Sequence, residues 1–336
     1  MNFTRIFAIA LALASLACLT TVNAEPLSPN VGMERVSAPV SGDVAVSVTL
    51  WYPSVSAAHT QILGPFQLDV AMAGDPVAKR FPLIVMSHGT GGSAFGAVNL
   101  AIALAKAGFV VAAVEHTGDN YHDRSRSFTR ANFASRPHQI SAAIDFLLND
   151  WRHKSVIDPA RIGMFGHSAG GTTTLIIGGG VLNWGNVGQF CISHPDDWGC
   201  KQARQQAPTR TLADSNVTPI NEADPRVKAL VIAAPALTHG FAPAGLAKLK
   251  LPVQLWVAGK DVIVPDAGQV TALMPAEPER HDIANAGHFS FLPPCSDGLR
   301  AMAPEICSDQ QGFDRGVFQQ EFMSAIIHFF RIHLQR

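Results

Sequence analysis

The stretch Gly166-His167-Ser168-Ala169-Gly170-Gly171 places a serine among small residues, directly after an apolar run, Arg161 to Phe165, and before a helical run, Thr172 to Ile177. A chain that passes from strand to helix within one residue forces strained dihedrals on that residue. Glycines at 166 and 170 relieve the resulting clashes, and the serine hydroxyl is lifted clear of the fold. The following helix aims its free N–H groups and positive dipole end at the same point, which favours negative charge developing there. An ordinary Gly-rich turn has the same spelling, but the flanking strand and helix point to a nucleophile. A serine hydroxyl is nearly inert at neutral pH, so the chemistry also requires a base and a carboxylate to orient it.

The base is expected at His288, within the Gly-flanked loop Asn285-Ala286-Gly287-His288-Phe289 that follows a strand near Arg280 to Ile283. His281 lies inside that strand and is read as structural. Asp261 follows the strand Val253 to Ala258 through Gly259-Lys260 and is the expected acid; its rival, Asp266, stands beyond Pro265 where it suits a helix N-cap. A further Gly-rich loop, Ser87-His88-Gly89-Thr90-Gly91-Gly92, follows the strand Phe81 to Met86 and lets backbone N–H groups approach a substrate oxygen. The two donors are assigned to Thr90 and Ala169. A phosphate-binding loop would need a Lys-Ser/Thr ending, which is absent here.

These loops need a scaffold, and the chain supplies one. A half-buried strand reads from Val44 to Leu50. From Phe81 onward short apolar strands (Phe81 to Met86, Phe109 to Val114, Arg161 to Phe165, Val227 to Ala233, Val253 to Ala258) alternate with helical runs (Gly96 to Ala107, about Pro137 to Asn149, after Gly170, and Val317 to His333). That rhythm indicates an α/β fold with a mostly parallel central sheet covered by helices on both faces. Three stretches interrupt it: Ala57 to Lys79, Thr117 to Arg136 and Leu182 to Asn221. Long excursions from the carboxyl ends of strands normally roof the pocket, and 182–221 is the expected lid. Its Trp184, Phe190 and Trp198 either line an apolar acyl site or pack the lid down.

The chain has 336 residues, 47% of them apolar and 15% charged, enough to bury a large core. Its 25 basic and 26 acidic side chains leave a net charge of -1, no field for holding nucleic acid or an anionic membrane. Arg5, the apolar stretch Ile6 to Leu19 and the small-residue site Val22-Asn23-Ala24 read as a secretory signal cleaved after Ala24, with residues 25–336 forming a single domain. Lipidation at Cys18 is the weaker reading, since Ser15 sits where that pattern wants Leu. No later apolar run approaches the roughly 18 residues of a membrane span. Cys191, Cys200, Cys295 and Cys307 remain after cleavage. An oxidising destination suggests disulfides, and the short separations favour 191 with 200 and 295 with 307. Zinc on the four thiols lacks the usual spacing. His116, Asp119 and His122 recur every three residues but follow a strand, so no helical face gathers them as ligands. Arg124, Arg126, Arg130 and Arg136 either hold an anionic group of the substrate or form a solvated run.

Ser-His-Gly-Thr-Gly at 87 to 91, Gly-His-Ser-Ala-Gly-Gly at 166 to 171 and Gly-His-Phe-Ser-Phe at 287 to 291 resemble the α/β-hydrolase superfamily, within it the dienelactone hydrolase-like and platelet-activating-factor acetylhydrolase-like group. The resemblance implies an α/β-hydrolase fold over most of residues 40 to 334 and ester hydrolysis through an acyl-enzyme on Ser168, Asp261 and His288. Small dienelactone enzymes carry Cys where this chain has Ser168, and they lack the cysteine-bearing insertion. The expectation is an exported serine esterase, periplasmic or secreted, acting on a small-molecule ester with neither cofactor nor metal. An amidase or acyltransferase using the same groups, or a non-catalytic binding protein of this fold, are the alternatives.

Overall fold

The computed structural model describes residues 29–206 and 218–334. The expected export signal, 1–24, and positions 207–217 of the insertion lie outside them. Among the described residues ten strands form one sheet: β1 (Asn30–Ala38), β2 (Val46–Ser54), β3 (His59–Leu63), β4 (Phe66–Met72), β5 (Phe81–Ser87), β6 (Val110–Glu115), β7 (Ile157–His167), β8 (Val227–Ala233), β9 (Val253–Ala258) and β10 (Glu279–Ile283). Their spatial order is β10-β9-β8-β7-β5-β6-β2-β1-β4-β3. β5 through β10 are mutually parallel, while β2 runs antiparallel to β6 and β1 antiparallel to β2.

The helices are α1 (Val98–Lys106), α2 (Arg130–Asn149), α3 (Ala169–Ile177), α4 (Trp184–Ser193), α5 (Trp198–Gln206), the short α6 (Pro243–Leu246), α7 (Asp297–Met302) and α8 (Pro304–Cys307), and α9 (Arg315–Leu334). Strands covered on both faces need no polar alternation, and the sheet splits its apolar residues accordingly. Leu83, Val85, Ile162 and Met164 face α2 and α3. Ile84, Met86, Val111 and Phe165 face α1 and α9, where Phe322, Phe329 and Phe330 fill the space. Among the described residues no helix is long and apolar enough to cross a membrane.

Two local expectations differ from the structure. Residues 57–79 do not roof the pocket as an irregular excursion; they fold into the β3/β4 hairpin, with β4 joining β1 in parallel. Only its turn reaches the cavity. The helix expected from Pro137 begins seven residues earlier, at Arg130. Thr129 caps it by accepting the Asn132 N–H, and buried Asn132 and Phe133 hold its first turns, so Pro137 is accommodated inside the helix.

Register brings the functional loops together. Ser87 lies opposite Gly166, Gly166 opposite Ile232, and Ile283 opposite Ala258. The segments leaving β5, β7, β8, β9 and β10 therefore emerge along one carboxyl edge of the sheet.

Candidate active site

Ser168 occupies the single residue between β7 and α3, with φ 56° and ψ −119°. A side chain in that region of backbone space is strained. Its own N–H donates to Ala233 O at 2.9 Å, and its carbonyl accepts from Ala236 N–H at 3.1 Å, which locks the turn to β8. A Cβ on Gly170 would come within 1.9 Å of the Ser87 carbonyl oxygen, and one on Gly166 within 2.1 Å of the Gly170 oxygen. Both glycines are thus sterically required for β5, β7 and α3 to meet as they do.

Side chains from three separate loops converge on this turn. His288 Nε2 lies 3.0 Å from Ser168 Oγ, and His288 Nδ1 lies 2.7 Å from Asp261 Oδ2. The other Asp261 oxygen accepts the N–H groups of Ile263 and Val264, both at 2.8 Å, so the carboxylate cannot swing. Burial alone would raise this carboxyl, but the bond to His288, the charge His288 can carry and those two N–H groups outweigh it and hold it below the usual carboxylate range. Asp261 is therefore ionised at neutral pH. Asp266 occupies an N-cap position, yet its side chain makes no capping bond, and burial shifts its carboxyl upward instead.

The loop carrying His288 is anchored by residues with weak sequence signals. Burial pushes His167 down to about 3, leaving it neutral, and its Nε2–H donates to the His288 carbonyl at 3.0 Å. Ser290 Oγ accepts Gly287 N–H and donates to Asp309 at 2.8 Å, and Arg315 from α9 clamps Asp309 in turn. His167 and Ser290 stood inside the motifs; Asp309 and Arg315 had no local mark.

Thr90 lines the cavity next to Gly89, and Ala169 follows the serine as the first residue of α3. Gly89 packs against Ser168, since a Cβ there would be 3.2 Å from the Ser168 Cβ. Gly91 N–H is taken by Asp119, and Gly92 N–H by Gly89 O. The backbone N–H groups of Thr90 and Ala169 have no protein acceptor among the described residues, Ala169 because it is the first residue of α3.

Above these groups lies a cavity of about 1160 Å³, reached by Ser168, His288, Thr90 and the β3/β4 turn. Its walls are mostly apolar, and the disulfides Cys191–Cys200 and Cys295–Cys307 stand on two of its sides. Trp184 and Trp198 line it. Phe190 does not: its ring is held between His239, at 3.7 Å between ring centres, and His194, at 4.3 Å, and so packs the insertion instead.

The remaining candidates find other partners. His281 stacks on Trp256 at 4.0 Å. Arg126 pairs with Asp43, Arg130 reaches the Thr218 carbonyl, Arg124 is exposed, and Arg136 is fully buried beneath the Ser87–Gly92 loop. None of the four arginines lines the cavity described above. His116 and Asp119 are fully buried in different hydrogen bonds while His122 is exposed, and among the described residues no group of three or more His, Cys, Asp or Glu is placed to hold a metal.

Residues 52–140 match the family described as platelet-activating factor acetylhydrolase, isoform II. That span includes the Ser87–Gly92 loop but ends before Ser168. No curated protein matches the chain significantly. Among solved structures, a ferulic acid esterase from Streptomyces cinnamoneus superposes with a TM-score of 0.64 at 18% identity, over 93% of this chain and 92% of that one. The chain has the α/β-hydrolase fold.

Proposed function

We propose that this protein is an exported serine hydrolase that cleaves carboxylic esters through an acyl-enzyme. The observation that carries the reading is the Ser168–His288–Asp261 relay, with both hydrogen bonds formed and the serine strained at the end of β7. His288 Nε2 takes the Ser168 proton, the resulting alkoxide attacks the ester carbonyl, and Asp261 stabilises the imidazolium. The Thr90 and Ala169 N–H groups hold the oxyanion. His288 then delivers its proton to the departing alcohol oxygen, and water, activated by the same imidazole, releases the acid.

The cavity supports a bulky, largely apolar ester. The helices α4 and α5, stapled by Cys191–Cys200, act as a cap over it within a single catalytic domain. The family match to an acetylhydrolase and the structural likeness to an esterase support ester hydrolysis as the class. Two disulfides and the leader-like residues 1–24 support export.

The test is labelling with a fluorophosphonate probe. Wild type should label promptly at Ser168 and Ser168→Ala should not; a folded wild type that stays unlabelled would overturn the proposal. Release rates from p-nitrophenyl esters of increasing acyl length then define the acyl site, and hydrolysis of a matched anilide faster than the ester would move the reading to an amidase.

A further inference from the structure

We infer that Arg136 and Asp119 are positioning residues that aim the Thr90 N–H at the substrate oxygen, by clamping the backbone on either side of it. This rests on the esterase reading above. Thr90 stands between Gly89 and Gly91, the latter at φ 64°, so its own chain offers little stiffness. The stiffness comes from beneath. Arg136 Nη1 and Nη2 both donate to His88 O, each at 2.9 Å, fixing the peptide plane before Gly89. Asp119 Oδ1 accepts Gly91 N–H at 3.1 Å, fixing the plane after Thr90.

The plane between them is held by its carbonyl. Gly89 O accepts from Gly92 N–H at 3.0 Å and from His88 Nδ1–H at 2.7 Å. The tautomer follows from His88 Nε2, which accepts the His116 N–H at 3.1 Å and so carries no proton. In a trans peptide the N–H points opposite to the C=O. Tying Gly89 O inward therefore turns Thr90 N–H outward, toward the cavity.

Arg136 and Asp119 are each 0% exposed and approach to 3.4 Å. Asn132 Nδ2 at 2.6 Å and the Ser127 hydroxyl complete the Asp119 shell. Burial draws Arg136 down to about 10, which leaves it charged at neutral pH. A buried ion pair is a poor source of stability compared with apolar side chains of the same volume. Here both of its members spend hydrogen bonds on the one loop that faces the nucleophile, and that is where its use lies.

The experiment compares full-length exported wild type, Arg136→Lys and Ser127→Ala in three measurements. These are kcat and KM on p-nitrophenyl butyrate, affinity for an alkyl trifluoromethyl ketone, and the melting temperature. The ketone carbon bonds to Ser168 Oγ, its oxygen becomes an oxyanion and the serine proton moves to His288, so its affinity reads the oxyanion donors directly. Arg136→Lys keeps the charge but loses the two-pronged grip. It should lower kcat about 30-fold, weaken the ketone by a similar factor and leave KM within about twofold. Ser127→Ala removes one hydroxyl from Asp119 and remains testable if the lysine variant fails to fold; about a threefold loss in kcat and ketone affinity is expected. A folded Arg136→Lys, or Ser127→Ala, that changes only melting temperature or KM overturns the inference while the active wild type sustains the esterase reading. Wild type that neither hydrolyses ester nor binds ketone sinks both.

Discussion

Among the described residues two buried serine–histidine pairs have nearly the same geometry. In one, Ser168 Oγ meets His288 Nε2 at 3.0 Å, and His288 Nδ1 meets Asp261 at 2.7 Å. In the other, Ser87 Oγ meets His116 Nε2 at 2.8 Å, and His116 Nδ1 meets Gln139 Oε1 at 2.8 Å. Distances do not separate them; charge and access do. Asp261 is an anion able to stabilise an imidazolium, whereas Gln139 is neutral and the Arg136 cation stands near His116. Burial first, then Arg136 and His88, push His116 well below the ordinary histidine value. A proton taken from Ser87 would have nowhere favourable to rest. Ser87 touches the cavity wall but its partners His116 and Gln139 are fully buried away from it, while Ser168 and His288 both reach the cavity. On the proposed mechanism the three-membered chain of hydrogen bonds at Ser168 serves chemistry, while the one at Ser87 holds a loop.

The largest break in this comparison is expected from the serines. Ser168→Ala should lower kcat about a millionfold, and Ser87→Ala should still label with a fluorophosphonate at Ser168, as intact-mass analysis would show. Labelling of Ser87 instead would reverse the two roles. Next come the third members. Asp261→Asn should cost about ten-thousandfold in kcat, whereas Gln139→Met should cost about 1 to 3 kcal/mol of stability, read by urea unfolding, with kcat within about tenfold.

The buried imidazoles set a pH dependence of stability. His88 and His167 are pushed to about 3, chiefly by burial, and His116 well down. Each is neutral in the folded state and protonates on unfolding. Their stabilisation is thus complete above the ordinary histidine value of 6.5 and is lost as pH falls from there toward about 3. Unfolding free energies from urea titrations should drop steadily from pH 7 to 5, by up to about 1.4 kcal/mol per pH unit for each group; a flat profile would mean these rings take up protons as readily folded as unfolded. The smallest effect concerns the cap. Trp184→Ala should shift the preferred acyl length of p-nitrophenyl esters, while Phe190→Leu should leave that preference in place and lower the melting temperature.

Much of the scaffold was legible because it is local. Strands buried on both faces are written as unbroken apolar runs such as Phe81 to Met86, and the turn at Ser168 needs glycines at fixed offsets. The β3/β4 hairpin was not legible: β3 is largely exposed, with no apolar alternation to mark it. The start of α2 was misplaced because Pro137 reads as a helix beginning, whereas Thr129 and tertiary burial of Phe133 start the helix earlier.

Residue type and order along the chain determined which groups are able to react: a serine at a strand-to-helix turn, a histidine in a Gly-flanked loop, two aspartates as rivals, and cysteines close enough in sequence to pair. Those are properties of short segments, governed by backbone sterics and spacing. Tertiary structure alone decided that Arg136 is sealed beneath the Thr90 loop and that Phe190 faces His239 instead of the cavity. Each of those outcomes depends on which distant element packs against a side chain and how much water it removes.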